Sequence, residues 1–534
     1  MVAPVLVVTF FLLATGAAAG GRTSKRNISR PPVVPKILFS NTEPVIDRNG
    51  AEIPPYDTVY YFDQLIDHDN PSLGTFQQRY WHTWEFYEPG GPIILTTPGE
   101  VNAEGYESLL TDQTINGLIA QQQHGATIVL EHRYYGYSNP YVDLSTESLQ
   151  YHTIQQAIDD LEYFAYNVDL AMPGGDNVTP ADAPWILTGC SYAVSAIRAI
   201  FALYNLSPCW ECSKPDVFHS AWSSSGVVES IVDYWGYFDI VRQFMPQNCS
   251  ADVQAVISYI DEVFTSNDAA QISTIKDVFN MDLTHLDDFA RALAIPLSYW
   301  QDLQPNGNLS NGYFYSFCDA LEVVDGVAAG AEGQGLDRAL QAFGSWWANH
   351  HVLTRLTIYL PSECLGTYDP TSYAYTNTDI NNAGRSWMWI VCNEMGFLQD
   401  GAPEGVPTIV SRLITPAYIE RQCTYYFPEA FSAPTAPRVD ATNTAYGGWF
   451  VQADRLFFAN GKRDPWRDAT VSADGTDFSS TSMQPIAVGD GFHCSDYYAQ
   501  NAQDPTIAVV QNKGLAAIKE WLSSWTPPAD SARA

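Results

Sequence analysis

The chain has 534 residues, of which 46% are hydrophobic and 16% are charged, a composition typical of a large globular protein and not of a disordered one. There are 26 basic residues against 60 acidic ones, and the formal net charge of −34 argues against a nucleic-acid partner, which would need a basic face. Such a surface repels itself less once its carboxylates are protonated, so we expect an acidic working environment, with simple solubility as the alternative explanation.

The N-terminus has the pattern of a targeting signal. The apolar run over residues 5–13 precedes small residues that end at Ala19, which predicts a signal peptide over 1–19, although no basic residue precedes the run. No later stretch reaches about 18 apolar residues, so we expect no membrane anchor. Residues 20–50 are expected to be a flexible segment or a pro-segment. Lys25-Arg26 offers a dibasic cleavage site there, and two surface charges explain it equally well.

Sequons and cysteines agree with secretion. Asn-X-Ser/Thr glycosylation sequons occur at Asn27, Asn177, Asn205, Asn248 and Asn308. In a secreted protein most of the nine cysteines should be paired, and the odd number leaves at least one over. We expect the unpaired one to be Cys190, and the sequence leaves the pairing of the other eight open. Cys209-X-X-Cys212 resembles half of a zinc site, but no second half with matching spacing follows it. Disulfide formation is therefore favoured over zinc binding. We expect a secreted protein, with a vacuolar or lysosome-like compartment as the alternative.

The pattern of elements along the chain predicts an α/β protein. Early antiparallel strands are expected between residues 58 and 84, and buried strands follow near 92–100, where the strand ends in a glycine turn, and near 126–133, 185–191, 217–222, 455–459 and 485–488. Helices near 108–124, 150–167 and 503–525 alternate with these strands, which predicts a mainly parallel sheet. Strands become rare over 230–430, where helical patterns lie near 231–244, 252–265, 287–296 and 335–350. We therefore predict a core in two parts, 51–229 and 431–528, with a helical insertion over 230–430.

Three residues that follow predicted strands suggest nucleophilic catalysis. Ser191 stands at the turn between an apolar strand and a helical pattern, as in a nucleophile elbow, although a serine that caps a helix is the simpler alternative. Asp464 and His493 follow later strands, and the order Ser–Asp–His is that of α/β-hydrolases. Asp464 alone would be an ordinary turn residue. Together they predict a triad in which histidine activates the serine and the carboxylate orients the histidine.

Short motifs spread over residues 58–525 carry a family resemblance. They are Pro98-Gly99-Glu100, Glu131-His132-Arg133-Tyr134-Tyr135-Gly136, Gly189-Cys190-Ser191-Tyr192, Cys392-Asn393-Glu394, Tyr446-Gly447-Gly448, Asn460-Gly461 with Asp464-Pro465-Trp466, and His493-Cys494. The chain resembles the serine peptidases that include lysosomal Pro-X carboxypeptidase, dipeptidyl peptidase II and fungal acid prolyl endoproteases, the last most of all. The resemblance implies an α/β-hydrolase core capped by the helical insertion, and cleavage after proline. Cys190 and Ala193 depart from the family, which has glycines around the serine.

Further candidates surround this triad. The backbone N–H of Tyr192 follows from the elbow geometry as an oxyanion donor, and Gly99, by position and by resemblance, is the second, with a plain turn as its alternative. Trp466 and Trp389 could form a slot for a proline ring or simply pack in the core. Glu394 could bind a substrate amine or peptide group or pair with an arginine. For Glu131-His132-Arg133 we expect paired charges below the site. We expect no cofactor and no metal.

The sequence thus predicts a secreted serine peptidase that cleaves peptides or proteins on the carboxyl side of proline, as an endopeptidase in acid. The scarcity of lysine and arginine disfavours a clamp for a C-terminal carboxylate, whereas the acidic residues leave an amine-binding exopeptidase open. The alternatives are an exopeptidase of the same family, acting on X-Pro or Pro-X ends, an esterase on the same core, or a binding protein without activity. The oligomeric state is left open.

Overall fold

The computed structural model describes residue 31 and residues 33–37, 43–193, 217–305, 312–349, 364–476 and 478–527. In these ranges the strands are β1 Val45–Ile46, β2 Glu52–Ile53, β3 Val59–Leu65, β4 Thr75–Thr83, β5 Ile93–Thr97, β6 Ala126–Leu130, β7 Trp185–Cys190, β8 Ser220–Ser224, β9 Ile231–Asp233, β10 Val323–Val324, β11 Val327–Ala328, β12 Gly396–Leu398, β13 Leu456–Gly461 and β14 Ile486–Gly489. Eight of these strands form one central sheet, in the order β14-β13-β8-β7-β5-β6-β4-β3.

The sheet is parallel over most of its width. Strands β6, β5, β7, β8, β13 and β14 run parallel, whereas β4 pairs antiparallel with both β3 and β6. Strands β5 and β6 are mostly apolar and are buried along their whole length, as expected for a sheet covered on both faces. Strand β3, at the edge, has exposed and intermediate residues between its buried ones. The predicted mainly parallel sheet with early antiparallel strands is therefore confirmed.

Helices cover both the sheet and its end. In the described ranges they are α1 Ile115–Gln123, α2 Ile154–Asn167, α3 Gly236–Phe244, α4 Gln247–Thr265, α5 Ala269–Phe279, α6 Leu286–Leu293, α7 Ile295–Ser298, α8 Gly312–Glu322, α9 Leu336–Asn349, α10 Tyr373–Thr376, α11 Ala383–Ile390, α12 Pro416–Tyr426, α13 Val439–Tyr446 and α14 Pro505–Leu522. The last helix packs closely on the sheet because Gly514 has no side chain: an added Cβ would lie 2.2 Å from the ring of Trp222. The helix expected directly after Ser191 lies outside the described residues.

The helical region between β9 and β13 has its own apolar core. Buried residues of α3 to α12 form one cluster, and this cluster also takes in Tyr192, Trp466 and Phe492 from the loops at the carboxyl end of the sheet. The sheet and its covering helices form a second cluster. Disulfides Cys249–Cys318 and Cys392–Cys423 cross-link the helical region. We call this region the cap, and it lies over the end of the sheet where the site residues collect.

Some boundaries differ from those that the sequence predicts. Residues 231–233, expected to begin a helix, instead form β9, which pairs in parallel with β12. Residues expected to be flexible before position 50 include Val34, which is 2% exposed, and strand β1, which pairs with β2 just beyond that segment. Apolar side chains such as Val34 and Val45 fix this segment on the sheet cluster. The segment predicted as a signal peptide, Lys25-Arg26, Cys209 and Cys212 lie outside the described residues.

Candidate active site

Strand β7 ends in a sharp turn with Ser191 at its apex. The backbone φ of Ser191 is 66°, in the left-handed region that a non-glycine residue rarely adopts. Its N–H donates to the carbonyl of Ser224, at the end of the neighbouring strand β8, over 2.9 Å. This strained conformation is the geometry of a nucleophile elbow, in which the serine projects from the sheet.

Ser191, His493 and Asp464 form one hydrogen-bonded chain. The distance from Ser191 Oγ to His493 Nε2 is 2.8 Å, and His493 Nδ1 lies 2.9 and 3.0 Å from the two carboxylate oxygens of Asp464. A carboxylate only accepts, so Nδ1 carries the proton that it shares with Asp464, and Nε2 is left to accept from the serine hydroxyl. All three residues are fully buried. The arrangement can transfer the serine proton to the imidazole.

The loops after β13 and β14 hold the acid and the histidine together. Lys462 and Arg463 donate their N–H groups to the carbonyls of Gly489 and Gly491, each over 2.9 Å, which joins one loop to the other. The loops come so close at Gly461 that an added Cβ would lie 2.5 Å from the carbonyl oxygen of Phe492. From the cap, Gln304 Nε2 donates to the carbonyl of His493 over 2.9 Å. Core and cap therefore both hold the backbone of the His493 loop.

The prediction of an unpaired Cys190 is wrong. Cys190 forms a disulfide with Cys494, so the residue before the serine is bonded to the residue after the histidine. The elbow turn is tight, but the partner comes from the His493 loop, which reaches back over the ends of β13 and β8. The sequence held the signal for this bond. If Ser191 and His493 must meet, the cysteines next to them must also lie close together.

Sulfur and nitrogen atoms capable of binding a metal also lie close together here. Ligand atoms of Cys190, Cys494 and His493 lie within 4.8 Å of one another. The two sulfurs are bonded to each other and the imidazole is held by Ser191 and Asp464, so these atoms are already engaged.

The candidate oxyanion donors lie side by side. Gly99 has a φ of 74° and packs against the elbow, where an added Cβ would lie 3.6 Å from the backbone nitrogen of Ala193 and 3.8 Å from the Tyr192 ring. The N–H of Gly99 donates over 3.2 Å to Thr97 Oγ1, a contact that is long for a strong hydrogen bond. The oxyanion role of Gly99 and Tyr192 stays a prediction.

The charged residues after β6 are paired, as the sequence predicts. Glu131 accepts from Arg79 Nη2 at 2.6 Å, and Arg133 Nε donates to Asp160 at 2.7 Å. Between them, the ring of His132 lies 5.6 Å from the ring of Tyr192, and burial lowers the pKa of His132 to about 4. These buried pairs form a neutral floor beneath the elbow.

Glu394 lies in an irregular turn of the cap. It belongs to a π-helical turn, Val391–Met395, a distortion often found at functional sites. Its carboxylate accepts from the N–H of Ile154 over 3.4 Å, and burial raises its pKa to about 7. The pKa of Tyr192 is raised first by burial and second by the charge of Glu394. Glu394 therefore lies near the elbow.

The two candidate slot residues are mostly enclosed. Trp466 is fully buried, its ring centroid lies 6.3 Å from that of His493, and its Nε1–H donates to Gln301 Oε1 at 2.8 Å. Trp389 is 8% exposed and donates to the carbonyl of His152 at 3.0 Å. Stacking of Trp466 on a substrate would therefore require the rings around it to move, and both binding roles stay predictions.

Sequence reasoning missed Asp496 in the His493 loop. Its carboxyl accepts from Ser224 Oγ at 2.7 Å and from Trp222 Nε1 at 2.9 Å, which ties the loop to β8. Burial is the main cause that raises the pKa of Asp496 to about 7, and the charge of Asp464 raises it further. Only its place three residues after His493 could have drawn attention to it, because its partners come from a strand about 270 residues away.

Comparison with known proteins places this chain in a family. The family model described as serine carboxypeptidase S28 matches residues 64–514. The chain belongs to the S28 family of serine peptidases. It is 36% identical to a Bipolaris victoriae protein named serine protease vicPa, over 86% of this chain and 88% of that protein. It is 31% identical to a probable extracellular serine carboxypeptidase of Arthroderma benhamiae, over 87% of this chain and 67% of that protein.

A solved structure titled lipase (open form) also matches this S28 chain. The TM-score is 0.33 and the identity is 9%, over 87% of this chain and 99% of that one. The fold of the S28 chain is that of an α/β-hydrolase, as predicted, with a mainly parallel sheet and the serine turn at its carboxyl end. The family makes it a serine-type peptidase, which acts on peptides.

The glycosylation sequons, the helices and the disulfides of this S28 peptidase bear on where it is located. Asn177 is exposed, Asn248 is partly buried with Nδ2 3.3 Å from the Ala329 carbonyl, and Asn27, Asn205 and Asn308 lie outside the described residues. Glycosylation at all five stays a prediction. In the part of the chain that the structure describes, each helix is too short or too polar to span a bilayer. The disulfides and the Arthroderma relative's name are compatible with secretion.

Proposed function

We propose that the protein is a secreted endopeptidase that hydrolyses peptide bonds on the carboxyl side of proline in acid, with Ser191 as nucleophile, His493 as general base and Asp464 as its orienting partner. The observation that carries this proposal is the continuous hydrogen-bonded chain from Ser191 Oγ through His493 to Asp464, with its 2.8 Å link to the serine. The site alone would also suit an esterase, and membership of a peptidase family favours the peptide bond.

The reaction proposed is acyl transfer in two steps. Ser191 Oγ attacks the carbonyl carbon of the proline residue while His493 Nε2 takes the hydroxyl proton, and the imidazolium then gives that proton to the departing amine of the next residue. Water hydrolyses the acyl-enzyme by the same route in reverse, and the serine regains its proton. Asp464 keeps the proton of the imidazole on Nδ1 throughout. The N–H groups of Tyr192 and Gly99 are our candidates to bind the oxyanion.

Three further observations support an acidic working range. The net charge of −34 repels least in acid. Burial raises the pKa of Asp496, Glu394 and Glu322 to about 7. These carboxyls are therefore neutral in acid, and acid removes from them no charge on which the fold depends. The resemblance to fungal acid prolyl endoproteases points the same way. Secretion into such a medium agrees with the disulfides and with the name of the Arthroderma relative.

The choice between endo- and exopeptidase depends on the cap. Glu394 lies near the elbow, where its carboxyl contributes to the raised pKa of Tyr192, and an acid suits the terminal amine of an X-Pro peptide better than a C-terminal carboxylate. The family name and the Arthroderma relative's name point instead to a carboxypeptidase. We place endopeptidase activity first on the resemblance to the fungal enzymes, and carboxypeptidase and dipeptidyl peptidase activities are the alternatives.

One digestion separates these possibilities. A long peptide with internal prolines, blocked at both ends, is incubated with the protein at about pH 4 and about pH 7, the range over which its buried carboxyls titrate, and the products are read by mass spectrometry. Internal cuts after proline that are faster in acid support the proposal. No cutting of the blocked peptide overturns the endopeptidase assignment, and freeing one end at a time then shows which terminus is needed. Cuts without proline overturn the specificity.

A further inference from the structure

Two of the three residues that carry the proposed chemistry are next to the same disulfide. Cys190 directly precedes Ser191, Cys494 directly follows His493, and their bond joins positions 304 residues apart. Both cysteines are almost fully buried, at 1% and 0% exposure. The disulfide therefore links Ser191 to His493 through Cys190 and Cys494 alone, although the sequence between them includes the entire cap.

The backbone around this disulfide is held in unfavourable conformations. Ser191, Ser225 and Cys494 have φ values of 66°, 46° and 56°, all in the left-handed region although none is glycine. Such conformations cost free energy and persist only where surrounding contacts impose them. Three of them meet here, where the elbow, the end of β8 and the histidine loop touch. The loops would relax away from this arrangement unless something held them.

Hydrogen bonds hold the loops from one side. The N–H of Cys494 donates to Ser225 Oγ at 2.9 Å, and the N–H of Ser225 donates to the carbonyl of Ala459 on β13 at 2.7 Å. The carbonyl of Ser224 receives the N–H of Ser191. The end of β8 thus contacts both loops, and the disulfide joins the same two loops directly.

We propose that the Cys190–Cys494 disulfide is a positioning element of the active site, which keeps Ser191 Oγ within hydrogen-bond reach of His493 Nε2. The inference rests on the proposed catalytic roles of these two residues. It makes the sulfur bridge part of the reaction geometry, in addition to any effect on stability. A displacement of about 1 Å between reacting groups can lower a rate about 100-fold, so loss of the bridge should act mainly on turnover.

The cap offers a matched control. Cys249–Cys318 joins α4 to α8 and is as buried as the active-site bridge, but its cysteines are not adjacent to the triad. The test compares Cys190→Ala/Cys494→Ala with Cys249→Ala/Cys318→Ala, so that each variant loses one disulfide and keeps no unpaired thiol from it. Circular dichroism first establishes a temperature at which both variants are folded.

Two rates are then measured at that temperature. One is the rate at which a fluorophosphonate labels Ser191, and the other is turnover of a proline chromogenic peptide. We expect both to fall about 100-fold in the active-site variant with KM changed by less than about twofold, and to be little changed in the cap variant. Equal falls in the two variants, or a fall confined to stability, would overturn the proposal.

The outcome is separable from that of the proposed function. If the unmodified protein is not labelled, the catalytic role of Ser191 fails, whereas equal labelling of the unmodified protein and the active-site variant overturns only the positioning role. If the active-site variant does not fold, Cys190→Ser/Cys494→Ser takes its place, because serine keeps the size and polarity of the thiol positions more closely while the bond between them is still lost. A fall in turnover at constant KM in this second disulfide-free variant supports the proposal, and unchanged turnover overturns it.

Discussion

At the scale of single residues, the triad makes the strongest prediction. Ser191→Ala, Asp464→Asn and His493→Ala should each lower turnover by roughly 10⁴-fold or more, because each breaks the hydrogen-bonded chain that activates the nucleophile. Kinetics with a proline chromogenic peptide measure the effect. Ser345→Ala, at an exposed serine of α9, is the matched control and should behave as the unmodified protein. Near-normal activity of His493→Ala would remove His493 as the base.

Asp496 gives a second prediction at this scale. Its pKa is raised to about 7, so in acid it is a neutral hydrogen-bonding group that an amide can replace. As the pH rises towards 8 the carboxyl ionises in its buried site, and the unmodified protein loses stability that Asp496→Asn does not lose. We expect the melting temperature of Asp496→Asn, relative to that of the unmodified protein, to rise between about pH 5 and about pH 8. Asp337→Asn, at an exposed site, should show no such trend.

The residues of the triad could be predicted from sequence because each follows a strand and their order is diagnostic. The partner of Cys190 could also have been predicted from the same three residues. The roles of Asp496, Gln304 and Ser225 could not, because each depends on a contact between segments far apart in the chain. Nothing in the local pattern around these three distinguishes them from other polar residues.

At the scale of elements, the packing of α14 on the sheet can be tested. In Gly514→Ala the new Cβ would lie 2.2 to 2.6 Å from atoms of Trp222 and Phe457, so the helix must shift or the rings must move. We expect a loss of about 1–3 kcal/mol in the free energy of unfolding despite the better helix propensity of alanine. Denaturant unfolding measures it.

Gly312→Ala at the start of α8 is the control for that substitution. Within the described structure an added Cβ there meets nothing within 4 Å. It should leave stability unchanged or slightly higher, since alanine favours the helix. Equal effects of the two substitutions would mean that α14 does not depend on close contact at Gly514.

The elements that were well predicted are those in which apolar residues recur with a regular spacing or form a continuous run. Helices α9 and α14 and strands β5 and β6 lie within two or three residues of their expected positions. The errors lie where long-range pairing decides the conformation. Strand β9 forms because β12, more than 160 residues later, supplies its partner, and the π-helical turn at Glu394 has no signature in local spacing.

For the molecule as a whole, stability should increase towards acid. The raised pKa values of Asp496, Glu394 and Glu322 mean that the folded protein holds protons that an unfolded chain, with ordinary pKa values near 4, has already released. Between about pH 4 and pH 7 the free energy of unfolding therefore falls as the pH rises. We expect a higher melting temperature at about pH 5 than at about pH 8.

Salt separates the two causes of this effect. Repulsion among the exposed carboxylates is screened by ions, whereas the cost of ionising buried carboxyls is screened much less. A melting-temperature difference that persists in about 1 M sodium chloride, where the screening length is about 3 Å, is the expected result. If the melting-temperature difference disappears in salt, the pH dependence of stability is due to surface charge. A protein that is more stable at pH 8 than at pH 5 would contradict the assignment of neutral buried carboxyls.

The bond between Cys190 and Cys494 also determines what happens when the chain is cut. Ser191 lies before the cap in the sequence, whereas Asp464 and His493 lie after it, so any single break in the cap divides the triad between two fragments. The exposed turn at Asp325 to Ala328 is a place where a protease could make such a break. Because the bridge encloses the whole cap in one covalent loop, the two fragments stay joined at the reaction centre itself. A nicked molecule should run as one species until it is reduced, and it should keep the three groups of the proposed triad together.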